Sequence, residues 1–316
     1  MNALGQLAPN SRIYIAGHNG LVGSALWRHF TKLGFTNLIG WSSQELDLRE
    51  KSATRKAILD TKPDCIIMAA AKVGGIKANS EFPVEFLNDN LRIQTNIFEA
   101  AHEADVGRLL FLGSSCVYPK FAQQPIHEHS LLTGELEETN NAYAIAKIAG
   151  ILQVQSYRKE YKRAWISAMP TNLYGPNDNF DLMSSHVLPA LIRKFHEAKI
   201  NGSDTLNLWG SGTPLREFMH TDDLANACHF LLENYNDEAP INIGWGKDLT
   251  IRHLAGIISE IVEYEGKIGW DSAHPDGTKR KVLDTTLINS LGWKPDIELR
   301  EGISSTYEWF KEHWAS

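Results

Sequence analysis

An α/β fold built on a doubly wound, mostly parallel sheet is what this sequence predicts, and three observations predict it. Short, continuously apolar runs alternate with longer segments of helical periodicity, joined by short connections. The apolar runs lack a polar alternate face, as strands do when helices cover both sides of a sheet. The first run opens directly into a glycine-spaced turn and then a helix.

The elements follow in order. Residues 12–16, "RIYIA", read as the first strand, and "GHNGLVGSALWRHFTKLG" carries a helix through Leu26, Phe30 and Leu33 that Gly34 stops. "NLIGW" is a second strand, residues 53–60 a helix, and "PDCIIMAAA" a third strand ending in small residues. The long helix "FLNDNLRIQTNIFEAAHEA" precedes the strand "RLLFLGSS"; the helix "NNAYAIAKIAGILQVQSYRKEY" precedes the strand "AWISAMPTNLYG". After Tyr174 the regularity changes. "GPNDNFDLMSSH" is loop-like, and "HVLPALIRKFHEA" presents Val187, Leu188, Leu191, Ile192 and Phe195 on one side. Residues 217–235 are expected to cross back to the sheet, before "INIGW", the helix "IRHLAGIISEIVEYE" and a C-terminal helix ending near Trp314. The chain thus divides into a dinucleotide-binding unit, 1–173 with 217–240, and a smaller α/β substrate-binding unit, 174–216 with 241–316.

The net charge of −7 disfavours a general nucleic-acid or membrane surface. No run of 18 apolar residues exists, and the stretch before the first strand reads as a short leader without signal-peptide features. Cys65, Cys116 and Cys228 are odd in number and lack metal-ligand spacing. Cys65 and Cys228 lie in apolar runs and read as core, which fits a reducing cytoplasm. His127 and His129 read as loop residues, and no metal site is expected.

Gly17, His18, Asn19, Gly20, Leu21, Val22 and Gly23 form G-x-x-G-x-x-G between the first strand and the first helix. Backbone amides at such a helix N-terminus attract a pyrophosphate, and glycines let the chain approach it closely. That is the signature of a Rossmann-type nucleotide site, although glycine turns also simply join strands to helices. The second strand ends in "GWSS", with no acid at its tip for the ribose hydroxyls of NAD and no arginine for a 2′-phosphate. Ser42 and Ser43 either hydrogen-bond a 2′-phosphate or cap a turn, and the reading leans to NADP(H). Asp47 either reaches the adenine or is an exposed loop carboxylate.

Tyr143 and Lys147 form Y-x-x-x-K, whose spacing puts both side chains on one helix face. The ammonium is expected to favour tyrosinate, drawing the phenol down from its usual pKa of ~10. In "LGSSCVYP", an extended backbone would place Ser114 and Cys116 on the same side. Cys116 is then either small core filler or a second catalytic group.

"GHNGLVG", "AAA" at 69–71, Ser114, "YAIAK" and "NLYGP" together resemble the extended short-chain dehydrogenase/reductase family over nearly the whole chain. The resemblance implies that Ser114, Tyr143 and Lys147 work with a nicotinamide on a nucleotide sugar. It implies further cofactor contacts at Leu112, Gly113, Ser115, Pro170, Thr171, Asn172, Leu173 and His186. Longer stretches, among them "AAAKVGGI", "FLGSSCVYPK", "MPTNLYGPNDNF", "WGSGTPLREF" and "PDGTKRK", resemble one branch of that family. That branch epimerises GDP-4-keto-6-deoxy-D-mannose at C3 and C5 and reduces its C4 ketone with NADPH, giving GDP-L-fucose. It implies Cys116 and His186 as the epimerising acid and base, in either order. It also implies Lys194, Trp209, Arg216 and Asp276 as GDP-sugar contacts, and a homodimer. Residues 279–281, "KRK", read as surface rather than site. The alternatives are an epimerase or reductase of another 4-keto sugar nucleotide, or a non-catalytic dinucleotide sensor.

Overall fold

The computed structural model describes residues 5–271, 273 and 277–315. The first half runs β1 (Ile13–Ala16), α1 (Leu21–Lys32), β2 (Leu38–Ile39), α2 (Lys51–Thr61), β3 (Cys65–Met68), α3 (Ile76–Glu81), α4 (Pro83–Glu103), β4 (Arg108–Leu112) and α5 (Asn141–Tyr161). It continues with β5 (Ala164–Pro170), β6 (Asn172–Tyr174), α6 (Val187–Ile200), β7 (Thr205–Trp209), β8 (Leu215–Arg216), β9 (Phe218–His220) and α7 (Thr221–Asn234). The last elements are β10 (Ile241–Ile243), β11 (Leu249–Thr250), α8 (Ile251–Val262), β12 (Lys267–Asp271), β13 (Arg280–Lys281), α9 (Thr286–Ser290) and α10 (Leu299–His313).

Six parallel strands form the central sheet in the order β10-β5-β4-β3-β1-β2. Side chains alternate between its two faces, as the period of a strand requires. Ile13, Ile15, Cys65, Ile67 and Leu110 join a cluster with Leu26 and Phe30 of α1 and Leu224 and Leu231 of α7. Tyr14, Ile66, Met68, Leu109 and Phe111 join the opposite cluster, with Ile97 and Phe98 of α4 and Ile151 of α5. A third cluster lies among α6, α8 and α10, around Leu191, Phe195, Leu254, Ile258 and Phe310. Each layer of helices therefore buries one face of a sheet that the sequence shows as uninterrupted apolar runs.

The sheet order reverses at β1, which lies between β2 and β3, so the crevice for a ligand opens beyond the C-terminal ends of β1 and β3. Several details differ from the sequence reading. Helix α3 was not anticipated, and the second strand is only two residues long. The run "AWISAMPTNLYG" splits at Thr171, whose N–H goes to Ile243 O (3.0 Å), and β6 pairs instead with β9. The return to the sheet passes through α7, which packs against α1, and is completed by β10 beside β5, just past residue 240.

One buried carboxyl makes the fold sensitive to pH. Asp178, in the loop between β6 and α6, is 5% exposed. Its Oδ1 accepts the Asn179 N–H (2.7 Å), while Oδ2 finds no partner among the described residues. Burial pushes its pKa up to about 7. The folded state therefore holds this proton more tightly than the unfolded chain, whose Asp titrates near ~3.9. The contribution is fully present below pH ~4 and is lost as pH rises through about 7. Asp178→Asn, which cannot ionise, is expected to be more stable than the wild type at pH 8 by about 1–3 kcal/mol, and to lose that advantage by pH ~4. Urea unfolding at the two pH values measures the difference; an equal effect at both would show that ionisation is not its cause.

Candidate active site

The outlet of β1 is shaped by close backbone approach. Gly17 has φ +82°, and a Cβ there would come within 2.8 Å of Ala70 Cα at the outlet of β3. A Cβ at Gly23 would lie 2.0 Å from Gly17 O, so α1 is drawn tightly under the turn. Gly20 is the N-cap of α1 and, having no side chain, makes no cap bond to its first amides. Closely approaching backbone, uncapped amides and the positive end of the helix fit a dinucleotide pyrophosphate. His18 turns away from the turn to pack on Trp27, with ring centroids 5.3 Å apart, and against Gly40 at the end of β2.

At the tip of β2, Ser42 and Glu45 form a reciprocal cap. The Ser42 N–H and hydroxyl both donate to Glu45 Oε2 at 2.8 Å, and the Glu45 N–H returns to Ser42 Oγ at 3.3 Å. Of the two roles open to Ser42, the turn cap is the one the structure displays. The bonds from Ser42 hold the Glu45 carboxyl below its usual range. Asp47 is engaged by the Arg49 guanidinium, from Nε to Oδ1 at 2.9 Å and Nη2 to Oδ2 at 2.7 Å.

Ser114 follows the outlet of β4 and begins a 3-10 turn over Ser115–Val117. Its Oγ accepts the Cys116 N–H at 3.2 Å. The condition under which alternation would align Ser114 with Cys116, an extended "SSC", is therefore not met: the segment is a turn. A serine hydroxyl two residues upstream offers the backbone a local partner that competes with the strand. The turn still leaves the thiol near Ser114: Asn140 Nδ2 is 3.4 Å and Lys281 Nζ 3.5 Å from Cys116 Sγ.

Tyr143 and Lys147 lie on the face of α5 toward β4, where Gly150 lets the helix approach Phe111; a Cβ there would meet that ring at 2.3 Å. Lys147 is buried and donates to Leu112 O at 2.8 Å, 4.9 Å above the Phe111 ring and 5.8 Å from the Tyr143 ring. Burial brings its pKa down to about 8. The Tyr143 phenol is pushed upward, first by burial and then by the nearby Cys116 sulfur, and a hydrogen bond with Ser114 offsets this in part. The expectation that Lys147 holds a tyrosinate is thus corrected: the ammonium is committed to Leu112 O, and Tyr143 is a protonated donor.

Gly113, Ser115 and the segment 170–173 lie around the adjoining ends of β4 and β5, tied by Gly113 N–H to Ala168 O (2.8 Å) and Asn172 Nδ2 to Glu217 O (2.8 Å). His186 is the N-cap residue of α6. Gly75 N–H reaches Ser184 O (2.9 Å), which brings the "AAAKVGGI" segment against the loop that carries His186. The residue as a whole is exposed, but the protein crowded around its imidazole dehydrates the imidazolium and lowers its pKa.

Lys194 Nζ lies 4.8 Å over the ring of Trp209, which is 64% exposed. Arg216 donates to Thr278 O at 2.6 Å, on the segment that leads into β13. Asp276 lies outside the described residues. Sequence reasoning missed Asn140, Glu217 and Lys281. Glu217 is fully buried and accepts the N–H groups of Gly246 (2.6 Å) and Leu283 (3.0 Å), joining β9 to two distant segments. Within "KRK", Arg280 pairs with Asp248 while Lys281 turns inward to Cys116, so that cluster is divided between surface and site. Among the described residues, no three His, Cys, Asp or Glu side chains group to hold a metal, and no helix is long and apolar enough to cross a membrane.

A model of the NAD dependent epimerase/dehydratase family matches residues 13–244. The chain is 54% identical over 301 residues to GDP-L-fucose synthase 1 of Arabidopsis thaliana, spanning 95% of this chain and 93% of that protein. It is 48% identical over 311 residues to GDP-L-fucose synthase of Escherichia coli K12, spanning 96% and 97% of the two chains. In structure it resembles a GDP-L-fucose synthetase from Naegleria fowleri bound to NADP, with a TM-score of 0.93 at 28% identity over 100% of this chain and 98% of that one.

Proposed function

The chain belongs to the NAD dependent epimerase/dehydratase family, and on that premise we propose that it converts GDP-4-keto-6-deoxy-D-mannose to GDP-L-fucose, epimerising C3 and C5 and reducing the C4 ketone with NADPH. The observation that carries this reading is the meeting of Ser114, Cys116 and Tyr143. A protonated phenol, a hydroxyl bonded to it and a thiol share one site at the end of β4.

In this reading residues 17–23, 112–115 and 170–173, with Lys147 and His186, hold the dinucleotide. Bound there, NADPH supplies the hydride for C4. Tyr143 protonates the C4 oxygen during reduction, and Lys147 keeps a positive charge beside the ring. C3 and C5 both flank the ketone, so loss of either proton gives an enolate, whose oxygen Tyr143 and Ser114 stabilise as charge develops. Cys116 and His186 form the acid–base pair that inverts each carbon. Lys194 and Arg216 suit a diphosphate, and the open indole of Trp209 offers a wall for the base or sugar. Asp276 completes the substrate contacts by resemblance. The units 1–173 with 217–240 and 174–216 with 241–316 take the cofactor and the GDP-sugar respectively. A homodimer in a reducing cytoplasm belongs to the same reading; three free cysteines accord with the compartment.

The test is to mix the purified protein with NADPH and GDP-4-keto-6-deoxy-D-mannose in D2O. Nicotinamide oxidation is expected, with deuterium at C3 and C5 of the product. Absence of oxidation overturns the reading for this substrate. Oxidation without label leaves a reductase and removes the epimerase.

A further inference from the structure

We propose that α3 and the glycine that caps it, Gly75, form a strut that sets the separation of Cys116 and His186, an inference that rests on the function proposed above. The two side chains come from distant segments, one just after β4 and the other just before α6, and α3 touches the flank of each. Its C-terminal end packs against the 3-10 turn Glu138–Asn140, where Ser80 Oγ donates to Thr139 O at 3.5 Å. Asn140, the last residue of that turn, brings its Nδ2 to 3.4 Å from Cys116 Sγ. At the other end, the Gly75 N–H donates to Ser184 O at 2.9 Å. Ser185 and then His186 follow directly. Gly75 and α3 touch neither reacting carbon in this reading; they are positioning residues.

The junction at Gly75 is stiff on both sides. Asp181 Oδ1 accepts the N–H groups of Met183 (3.0 Å) and Ser184 (3.1 Å) and the Ser184 hydroxyl (3.0 Å), and Asp181 O accepts the Ser185 N–H (2.8 Å). The turn before His186 therefore moves as one body. Across from it, the buried Asn79 donates its Nδ2 to Gly74 O (2.7 Å) and Gly75 O (3.1 Å), fixing the entry to α3. Space, not backbone conformation, requires glycine here. The φ of −66° suits any residue, but a Cβ at Gly75 would stand 2.8 Å from Ser185 O and 3.5 Å from Ser184 O. Both are backbone atoms and cannot rotate aside. A methyl group there would push the braced turn away from α3 and carry His186 with it. Inverting a carbon needs one group on each face at fixed distances, and a shift of about 1 Å costs up to ~10²-fold. Hydride transfer to C4 uses Tyr143 on α5 and the dinucleotide, and does not depend on that separation.

The experiment reads the two steps separately in Gly75→Ala and in its neighbour Gly74→Ala, where a Cβ would meet only side-chain atoms, Ala78 Cβ and Phe86 Cζ, at 3.1 Å. Epimerisation is followed as deuterium entering C3 and C5 of GDP-4-keto-6-deoxy-D-mannose in D2O, with NADP+ in place of NADPH. The C4 step is followed in reverse, as initial reduction of NADP+ by GDP-L-fucose. In Gly75→Ala, label entry is expected to fall about tenfold or more while the C4 step stays within about twofold of the wild type. Gly74→Ala should retain both. Unchanged labelling in Gly75→Ala overturns the proposal, as does an equal loss in both assays or an equal loss of label in the two variants. Hydrogen exchange without substrate tests the contact itself: backbone amides of residues 179–187 should exchange faster in Gly75→Ala, and unchanged protection there also overturns the strut. Should Gly75→Ala unfold by circular dichroism, Asp181→Ala, which releases the same turn from its own brace, is judged by the same outcomes. If hydrogen exchange responds but the wild type neither labels nor reduces the GDP-keto sugar, the fault lies with the proposed function, and the contact of α3 with the turn stands.

Discussion

Tyr143→Phe is expected to lower the rate of C4 reduction by about 10²–10⁴-fold, the usual worth of a positioned general acid, while NADPH still binds. The hydroxyl is the only group removed, and the ring whose centroid lies 6.5 Å from that of Phe86 remains. Because burial and the Cys116 sulfur both hold the phenol in its protonated form, Tyr143 does not set the alkaline limit of reduction. Lys147 does: its ammonium is lost as pH rises through about 8, and the wild-type rate should fall there. Nicotinamide absorbance measures turnover, and nicotinamide fluorescence measures binding. A Phe variant with near wild-type turnover would remove Tyr143 from the chemistry. An alkaline limb well above pH 8 would remove Lys147 from control of it.

The parts of this site that were legible in the sequence are those whose geometry is local. The glycine turn lies between adjacent elements, and Tyr143 and Lys147 share a helix face through i, i+4 spacing alone. The strands were legible because burial on both faces leaves no polar alternation. What escaped depends on contacts across long stretches of chain. Lys281 reaches Cys116 from 165 residues away, through a two-residue strand whose register no periodicity announces. Glu217 sits amid an ordinary "REFMH" run, and only the fold shows that its carboxylate receives two distant amides. The helix α3 is six residues long, too short for an apolar stripe to stand out. The 3-10 turn at Ser115 was hidden differently: "SSC" satisfies strand alternation equally well, and a single hydroxyl-to-amide bond decides against it.

Cys116→Ser should abolish most of the deuterium entry at C3 and C5, by about 10²-fold or more, as loss of one member of the proposed acid–base pair implies. The replacement alters one atom, and the turn survives because Ser114 Oγ holds the backbone N–H of residue 116 rather than its side chain. Any loss is therefore chemical. A serine hydroxyl is too weak an acid to ionise at neutral pH, even with Lys281 and Asn140 beside it. Tyr143 and Lys147 are untouched, so NADPH binding should persist, and whatever product forms should retain protium at both carbons. Mass spectrometry of the product reads the label directly. Full labelling in this variant would return Cys116 to the role of small filler beside the site. Labelling lost at one carbon alone would mean that C3 and C5 are served by different groups. Loss at both would tie the two inversions to one sulfur.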